Sequence, residues 1–296
     1  MSTVAVVGTG AIGVSWAAHL LNHGLDVVAS DPAPGAEERL RAGVVEIGAD
    51  PARLTFTADA GDAAAAADFV QENAPERADV KHTLFARLDE AARPDVVLAS
   101  SSSGMLPSTI ARAATRHPER VLVGHPFHPP HLVPLVEVVP GGRTSEAAMD
   151  AAMAFYVSVG KKPIRLRQEL PGHIANRLQA ALWREAYSLV DRGVASVADI
   201  DTAISQGPGL RWAVLGPFAN QHLSGGSGGI AHILEHLGAP TEAWWRDLGH
   251  PTMTPELEKK IIDGVDEELA GVDPAVLARH RDTVVRALLA LKEETP

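Results

Sequence analysis

His125 and Glu137 stand twelve residues apart in the stretch VLVGHPFHPPHLVPLVEVV, Val121 to Val139. Val133 to Val139 reads as a strand that is apolar on both faces and so buried on both. A carboxylate in the middle of such a strand is costly unless something pairs with it. Val121 to Val123 reads as a second short strand that ends at His125. If the two strands are neighbours joined by the proline-rich loop, His125 and Glu137 meet. An imidazole held by a buried carboxylate is a general base with a fixed tautomer. Such a base needs a proton to remove, and the start of the chain indicates the rest of the reaction.

Residues 3–8 form a short apolar strand, GTGAIG follows, and SWAAHLLNHG continues as a helix stopped at Gly24. Gly8, Gly10 and Gly13 have the G-x-G-x-x-G spacing, with Ala11 and Ile12 between the last two. Gly8 permits the tight turn, Gly10 lets a pyrophosphate approach the backbone, and Gly13 lets helix and strand pack closely. A second strand, Asp26 to Ala29, leads to Asp31. A carboxylate about 20 residues past the motif is where a ribose 2′-hydroxyl binds. Asp31 repels a 2′-phosphate, so NAD is expected rather than NADP.

The elements that position these groups alternate. Helices are predicted at 35–48, 59–67, 76–92 and 145–159. Strands are predicted at 54–57, 68–71, 96–100 and 162–166. Four serines, Ser100 to Ser103, follow the strand at 96–100. At the carboxyl end of a strand they either touch substrate and cofactor or cap the next turn. Alternation over residues 1–167 predicts an α/β fold with a doubly wound Rossmann sheet. From Gly172 onward the periodicity is helical, at 173–192, 197–206, 229–238, 254–270 and 274–292. The expected division is a cofactor-binding domain, 1–168, and an all-α domain, 169–296. Asn176 lies off the apolar stripe of the first helix there, close to its start. Arg211, in GLRWAVLGPF, has no nearby carboxylate in sequence. It reads either as a clamp for a substrate carboxylate or as a structural ion pair.

Composition narrows the classes. The chain has 296 residues, 46% of them hydrophobic, enough for a sizeable core. No run approaches the ~18 apolar residues of a membrane span. MSTVAVVGTG enters a strand pattern at once, which predicts no signal or transit segment. The absence of cysteine excludes disulfides, thiolate catalysis and cysteine-ligated metals, and suits the cytoplasm. A net charge of −11 without a basic cluster argues against nucleic acid and anionic membranes as partners. His125, His128 and His131 have a metal-like spacing, but the intervening prolines imply an extended loop, and no metal is expected.

Together GTGAIG with Asp31, QENAPERADVK, SSSSGMLPS, the His125–Glu137 spacing, and PGHIANRL followed by GVASVADIDTAI resemble the L-3-hydroxyacyl-CoA dehydrogenase superfamily, nearly end to end. The resemblance implies that His125 is the catalytic base and Glu137 its orienting carboxylate. It implies that Ser103 and Asn176 hydrogen-bond the substrate's reacting oxygen, and that Glu76 and Lys81 contact the cofactor. Most of the family has Asn where this chain has His128, near the nicotinamide. The long helical arm that serves CoA in acyl-CoA members is trimmed here. GLRWAVLG and AWWRDLGHPTMTPELEKKI resemble the carnitine dehydrogenase branch, while HPFHPPHLVPLVEVVP leans toward the L-gulonate 3-dehydrogenase and lambda-crystallin branch. The implied reaction is NAD-dependent interconversion of an L-3-hydroxy acid and its 3-oxo acid, with Arg211 as partner of the substrate carboxylate. Alternatives are a dehydrogenase of CoA thioesters, a biosynthetic ketoreductase using NADH, and a non-enzymatic structural protein. The helical half is expected to form a homodimer, as in the family.

Overall fold

A computed structural model describes residues 3–293. β1 (Thr3–Val7), α1 (Ala11–Asn22), β2 (Asp26–Ser30), α2 (Ala36–Ile47) and β3 (Leu54–Thr57) form one half of a doubly wound sheet. α3 (Ala60–Ala65), β4 (Phe69–Glu72), α4 (Ala78–Ala91), β5 (Val97–Ser100), a short α5 (Pro107–Ile110) and β6 (Val121–Pro126) form the other. β7 (Leu135–Pro140), α6 (Glu146–Ser158) and β8 (Lys162–Arg165) complete the eight-stranded sheet. The strand order is β3-β2-β1-β4-β5-β6-β7-β8. The strands run parallel as far as β6, β7 is antiparallel to β6, and β8 is parallel to β7.

Alternation along the strands feeds two apolar layers. Val4 and Val6 of β1 join Trp16, Leu20, Leu40 and Tyr156 on one face of the sheet. Ala5 and Val7 join Phe85, Leu88, Leu98 and Ile110 on the other. The same parity places the two chemical groups of the sheet. Val121 and Val123 of β6, and Val139 of β7, pack in the second layer. His125 and Glu137 share their parity and so lie on that same face. They are also opposite each other in the antiparallel register. A slip of one residue would send one of them to the wrong layer.

The chain divides into two compact units, one through Arg177 and one from Leu178. The division falls inside α7 (Ala175–Asp191). The second unit continues with α8 (Val197–Ser205), α9 (Pro208–Trp212), α10 (Pro217–Ser224), α11 (Gly229–Asp247), α12 (Pro255–Glu268) and α13 (Pro274–Glu293). α9 and α10 fall where the sequence pattern predicts no helix. α11 runs beyond the expected end at 238, because the turn that Gly238 and Pro240 announce does not form and the helix continues through Pro240. Leu257, 2% exposed, is the single buried large apolar side chain of this unit among the described residues. Trp183, Trp212, Phe218, Trp244 and Trp245 are all exposed. Among the described residues no helix is long and apolar enough to cross a membrane.

Candidate active site

Strand order reverses between β1 and β4, which opens a crevice at their carboxyl ends. Gly8 occupies the rim with φ +88°, and a Cβ there would sit 2.8 Å from the Asn73 carbonyl carbon. A Cβ on Gly13 would sit 1.9 Å from the Gly8 oxygen, so only glycine lets α1 approach the turn. A Cβ on Gly10 would meet nothing within 4 Å; the backbone there opens onto free space. Ala11 is exposed and Ile12 half-buried at the start of α1, where backbone N–H groups lack intrahelical partners. A cavity of about 890 Å³ extends from Gly8 and Gly10 past Asp31 to Val80, Leu84 and Arg87. Apolar walls, open N–H groups and an acidic rim fit a dinucleotide with an unphosphorylated adenosine ribose.

Asp31 is fixed in that rim. Its Oδ2 accepts from Thr9 N at 2.9 Å and Thr9 Oγ1 at 3.0 Å, and its Oδ1 accepts from Ala33 N at 2.9 Å. Burial alone would raise its pKa, but these hydrogen bonds outweigh it and hold the carboxyl below its ordinary value. Asp31 therefore keeps its charge at neutral pH.

The second focus is the β6–β7 pair. His125 Nδ1–H donates to Glu137 Oε2 at 2.9 Å. A carboxylate can only accept, so the proton lies on Nδ1 and the lone pair on Nε2. Glu137 is wholly buried. Its other oxygen, Oε1, accepts from Ile174 N and Ala175 N, each at 2.9 Å. These N–H groups lie at the N-terminal end of α7, Ala175 being its first residue and Ile174 the one before it, where a negative charge is favoured. Burial pushes the Glu137 pKa up, but His125 and the two N–H groups win and bring it below the usual value. The carboxylate thus orients His125 and also binds the Ile174–Ala175 backbone, within the first unit, to the sheet.

The serine run past β5 completes the setting. Asn176 Nδ2 donates to Ser103 O at 3.3 Å, bringing two predicted residues together. Ser103 is exposed and Asn176 half-buried. Ser102 is buried, and its Oγ donates to Glu76 Oε1. The same oxygen accepts from Gly104 N at 3.2 Å and Met105 N at 3.0 Å. Lys81 is 1% exposed, with Nζ 2.9 Å from both Glu72 oxygens and 3.7 Å from Glu76 Oε2. Ser100 Oγ donates to Glu72 Oε2 at 2.5 Å. Glu76 and Lys81 thus tie the loop after β4 to the serine loop after β5. Neighbouring Asp79, Val80 and Thr83 line the cavity.

The three loop histidines have separate surroundings. His125 pairs with Glu137, and His128 is exposed. His131 Nδ1 lies 2.9 Å from Ser15 Oγ, which also accepts from His131 N at 2.8 Å. Among the described residues no group of three His, Asp or Glu is placed to hold a metal ion. Lys161 pins the same loop from below. Its buried Nζ donates to Pro130 O and, at 3.2 Å, to Val133 O, and lies 4.9 Å from the centre of the Trp16 ring. Burial lowers its pKa to about 7. Arg211 is exposed on α9 in the second unit and makes no ion pair among the described residues.

Three contributors escape a reading of the sequence. Backbone N–H groups of Ile174 and Ala175 carry no side-chain signature. Ser102 is hidden among equivalent serines. His173 has a visible signal, an imidazole in the Pro-Gly turn of PGHIAN, and its surroundings are described below.

Comparison with known proteins places this geometry. Residues 3–170 match the 3-hydroxyacyl-CoA dehydrogenase NAD binding domain, and residues 172–259 match the 3-hydroxyacyl-CoA dehydrogenase C-terminal domain. The chain belongs to the 3-hydroxyacyl-CoA dehydrogenase family. As a member it is an NAD-dependent dehydrogenase acting on a CH–OH group. It is 48% identical to an L-carnitine dehydrogenase of Streptomyces coelicolor, over 97% of this chain and 93% of that protein. It is 46% identical to an L-carnitine dehydrogenase of Pseudomonas aeruginosa, over 100% of this chain and 95% of that protein. The crystal structure of 5-formyl-3-hydroxy-2-methylpyridine 4-carboxylic acid 5-dehydrogenase, an NAD+-dependent dismutase, superposes with a TM-score of 0.79 at 29% identity. That match covers 99% of this chain and 98% of the other.

Proposed function

We propose that this dehydrogenase oxidises a free L-3-hydroxy acid, with L-carnitine the first substrate to test and His125 the general base. One observation carries the chemistry. His125 has Nδ1–H committed to Glu137, which leaves the Nε2 lone pair for a substrate hydroxyl. NAD, when bound along Gly8, Gly10 and Asp31, supplies the hydride acceptor. His125 Nε2 takes the hydroxyl proton, and Glu137 stabilises the imidazolium that forms. Ser103 and Asn176 hold the reacting oxygen. In reverse, the imidazolium returns its proton to the oxo group.

Two features favour a free acid over a thioester. The connection from β2 to β3 holds one twelve-residue α-helix, α2, and a single 3-10 turn at Pro51–Arg53, with no long arm to hold CoA. Arg211 supplies an exposed guanidinium for a carboxylate, which a thioester lacks. The curated L-carnitine dehydrogenases, nearly full-length relatives, point the same way. In this reading the sheet unit binds the cofactor and the helical unit contributes substrate contacts and subunit pairing. One buried large apolar side chain among the described residues does not make a self-sufficient core, so a second copy of this chain covers the exposed tryptophans. The cysteine-free composition suits a reducing cytoplasm.

The test is NADH formation with L-carnitine, L-gulonate, L-3-hydroxybutyrate and L-3-hydroxybutyryl-CoA. Turnover of a free acid is expected; turnover of the thioester alone refutes the proposal. The subunit reading is tested by solution mass, where a clean monomer at micromolar concentration refutes it.

A further inference from the structure

His173 is the one non-glycine residue with positive φ among the described residues, at +49°. A left-handed backbone is unfavourable for a bulky L-residue, and such strain gathers at functional sites. The residue precedes the two N–H groups that bind Glu137. Its side chain is wholly buried. The ring centre stands 5.3 Å from that of His125. Nε2–H donates to Ser102 O at 3.1 Å. A carbonyl can only accept, so this bond fixes the tautomer and leaves a lone pair on Nδ1. That Nδ1 has no hydrogen-bond partner among the described residues. Burial is the main cause of a lowered His173 pKa, with the nearby His125 adding to it; Ser102 O, Glu137 and Glu76 act the other way.

Packing alone would be served by an apolar ring, without a buried lone pair. We propose that His173 is a positioning residue, holding the Glu137-binding turn, the His125 ring and the Ser102–Ser103 loop in one register. Its backbone turn presents Ile174 and Ala175 to Glu137. Its Nε2–H fixes the Ser102 carbonyl, and through it Ser103, one ring away from the base. As a neutral imidazole it adds no positive charge beside the imidazolium that His125 becomes. This rests on His125 being the base.

The test compares His173→Phe and His173→Gln with the native enzyme and with His125→Ala, using L-carnitine and NAD+. Phe keeps a ring and removes the donor, whereas Gln restores an N–H near the position of Nε2. His173→Phe is expected to lower kcat roughly tenfold or more through misplacement, with NADH affinity and Tm close to native. His173→Gln is expected to recover about threefold or more of that loss. A His173→Phe kcat within about twofold of native, or a Gln variant no better than Phe, overturns the proposal. If His125→Ala keeps its turnover, the reading of the base has failed instead. Nitrogen-15 NMR of the native enzyme tests the tautomer without any substrate. A neutral His173 protonated at Nε2 is expected at neutral pH; an Nδ1–H form or an imidazolium there overturns the proposal.

Discussion

Replacing Glu137 by Gln removes the charge while keeping the shape. Gln Oε1 can still accept from Ile174 and Ala175, as Glu137 Oε1 does now. The amide nitrogen then faces His125 Nδ1–H, which Glu137 Oε2 accepts at 2.9 Å. Two donors cannot bond, so His125 moves its proton to Nε2 and turns its lone pair toward the amide. The base is then in the wrong tautomer. General-base catalysis is worth roughly 10²–10⁴ in rate, and amidating the carboxylate of a catalytic triad costs about 10⁴. A loss of that size raises the barrier by about 3–5.5 kcal/mol. Stability changes less. The variant loses one charge-assisted bond and a favourable charge at α7, together about 2–4 kcal/mol. It also gains by no longer burying an ion, so a net cost of about 1–2 kcal/mol is expected. Glu137→Ala strands the two α7 N–H groups and costs about 3–5 kcal/mol. Steady-state NADH formation, NADH fluorescence titration and thermal unfolding separate these effects. A Glu137→Gln kcat within about tenfold of native would refute the tautomer argument, as would destabilisation equal to that of Glu137→Ala.

His125→Ala is expected to lower turnover at least roughly a hundredfold with NADH binding intact; near-native rates would mean another base operates. Asp31→Ser removes the charge facing the adenosine ribose, so KM for NAD+ should rise roughly tenfold and NADP+ should begin to be used; an unchanged cofactor preference places the ribose elsewhere. Lys161 has its folded pKa lowered by burial to about 7, while an unfolded Lys titrates near ~10.4. The unfolded chain therefore binds more protons between these values, and stability should rise with pH through that window, by up to about 5 kcal/mol from this group. Denaturant unfolding of Lys161→Met should show a flatter pH profile there, and parallel profiles would contradict the assignment. Glu137, Asp31 and Glu76 are depressed carboxyls, despite burial that opposes the shift. Their stabilisation is present above the ordinary carboxylate range and is lost as pH falls below about 4; Glu137→Gln should lose less on acidification than native enzyme.

Strands with apolar residues on both faces and a glycine turn leading straight into a helix leave strong local patterns, so the sheet was legible from the sequence. The His125–Glu137 contact was legible because a carboxylate in a buried strand demands a partner, and the antiparallel register supplies one. What α7 does for Glu137 was hidden, since backbone N–H groups are the same in every residue. Glu76 and Lys81 illustrate a related limit. The family resemblance singles them out as cofactor contacts, but only the fold shows their bonds to Ser102 and Glu72. In the helical unit α9, α10 and the end of α11 leave no helical pattern in the sequence because Gly and Pro punctuate them. There the breaker residues sit at helix starts, at Pro208 and Pro217, or are tolerated within, at Pro240. In the sequence His173 is one letter of PGHIANRL, whereas its left-handed backbone shows only in three dimensions.

The most direct measurement is kcat/KM for L-carnitine and for L-3-hydroxybutyryl-CoA, side by side, in native enzyme and Arg211→Gln. A free-acid dehydrogenase should prefer L-carnitine by at least roughly a hundredfold, and Arg211→Gln should erase most of that preference by raising KM for the acid. Preference for the thioester in the native enzyme, unaltered by Arg211→Gln, would contradict it.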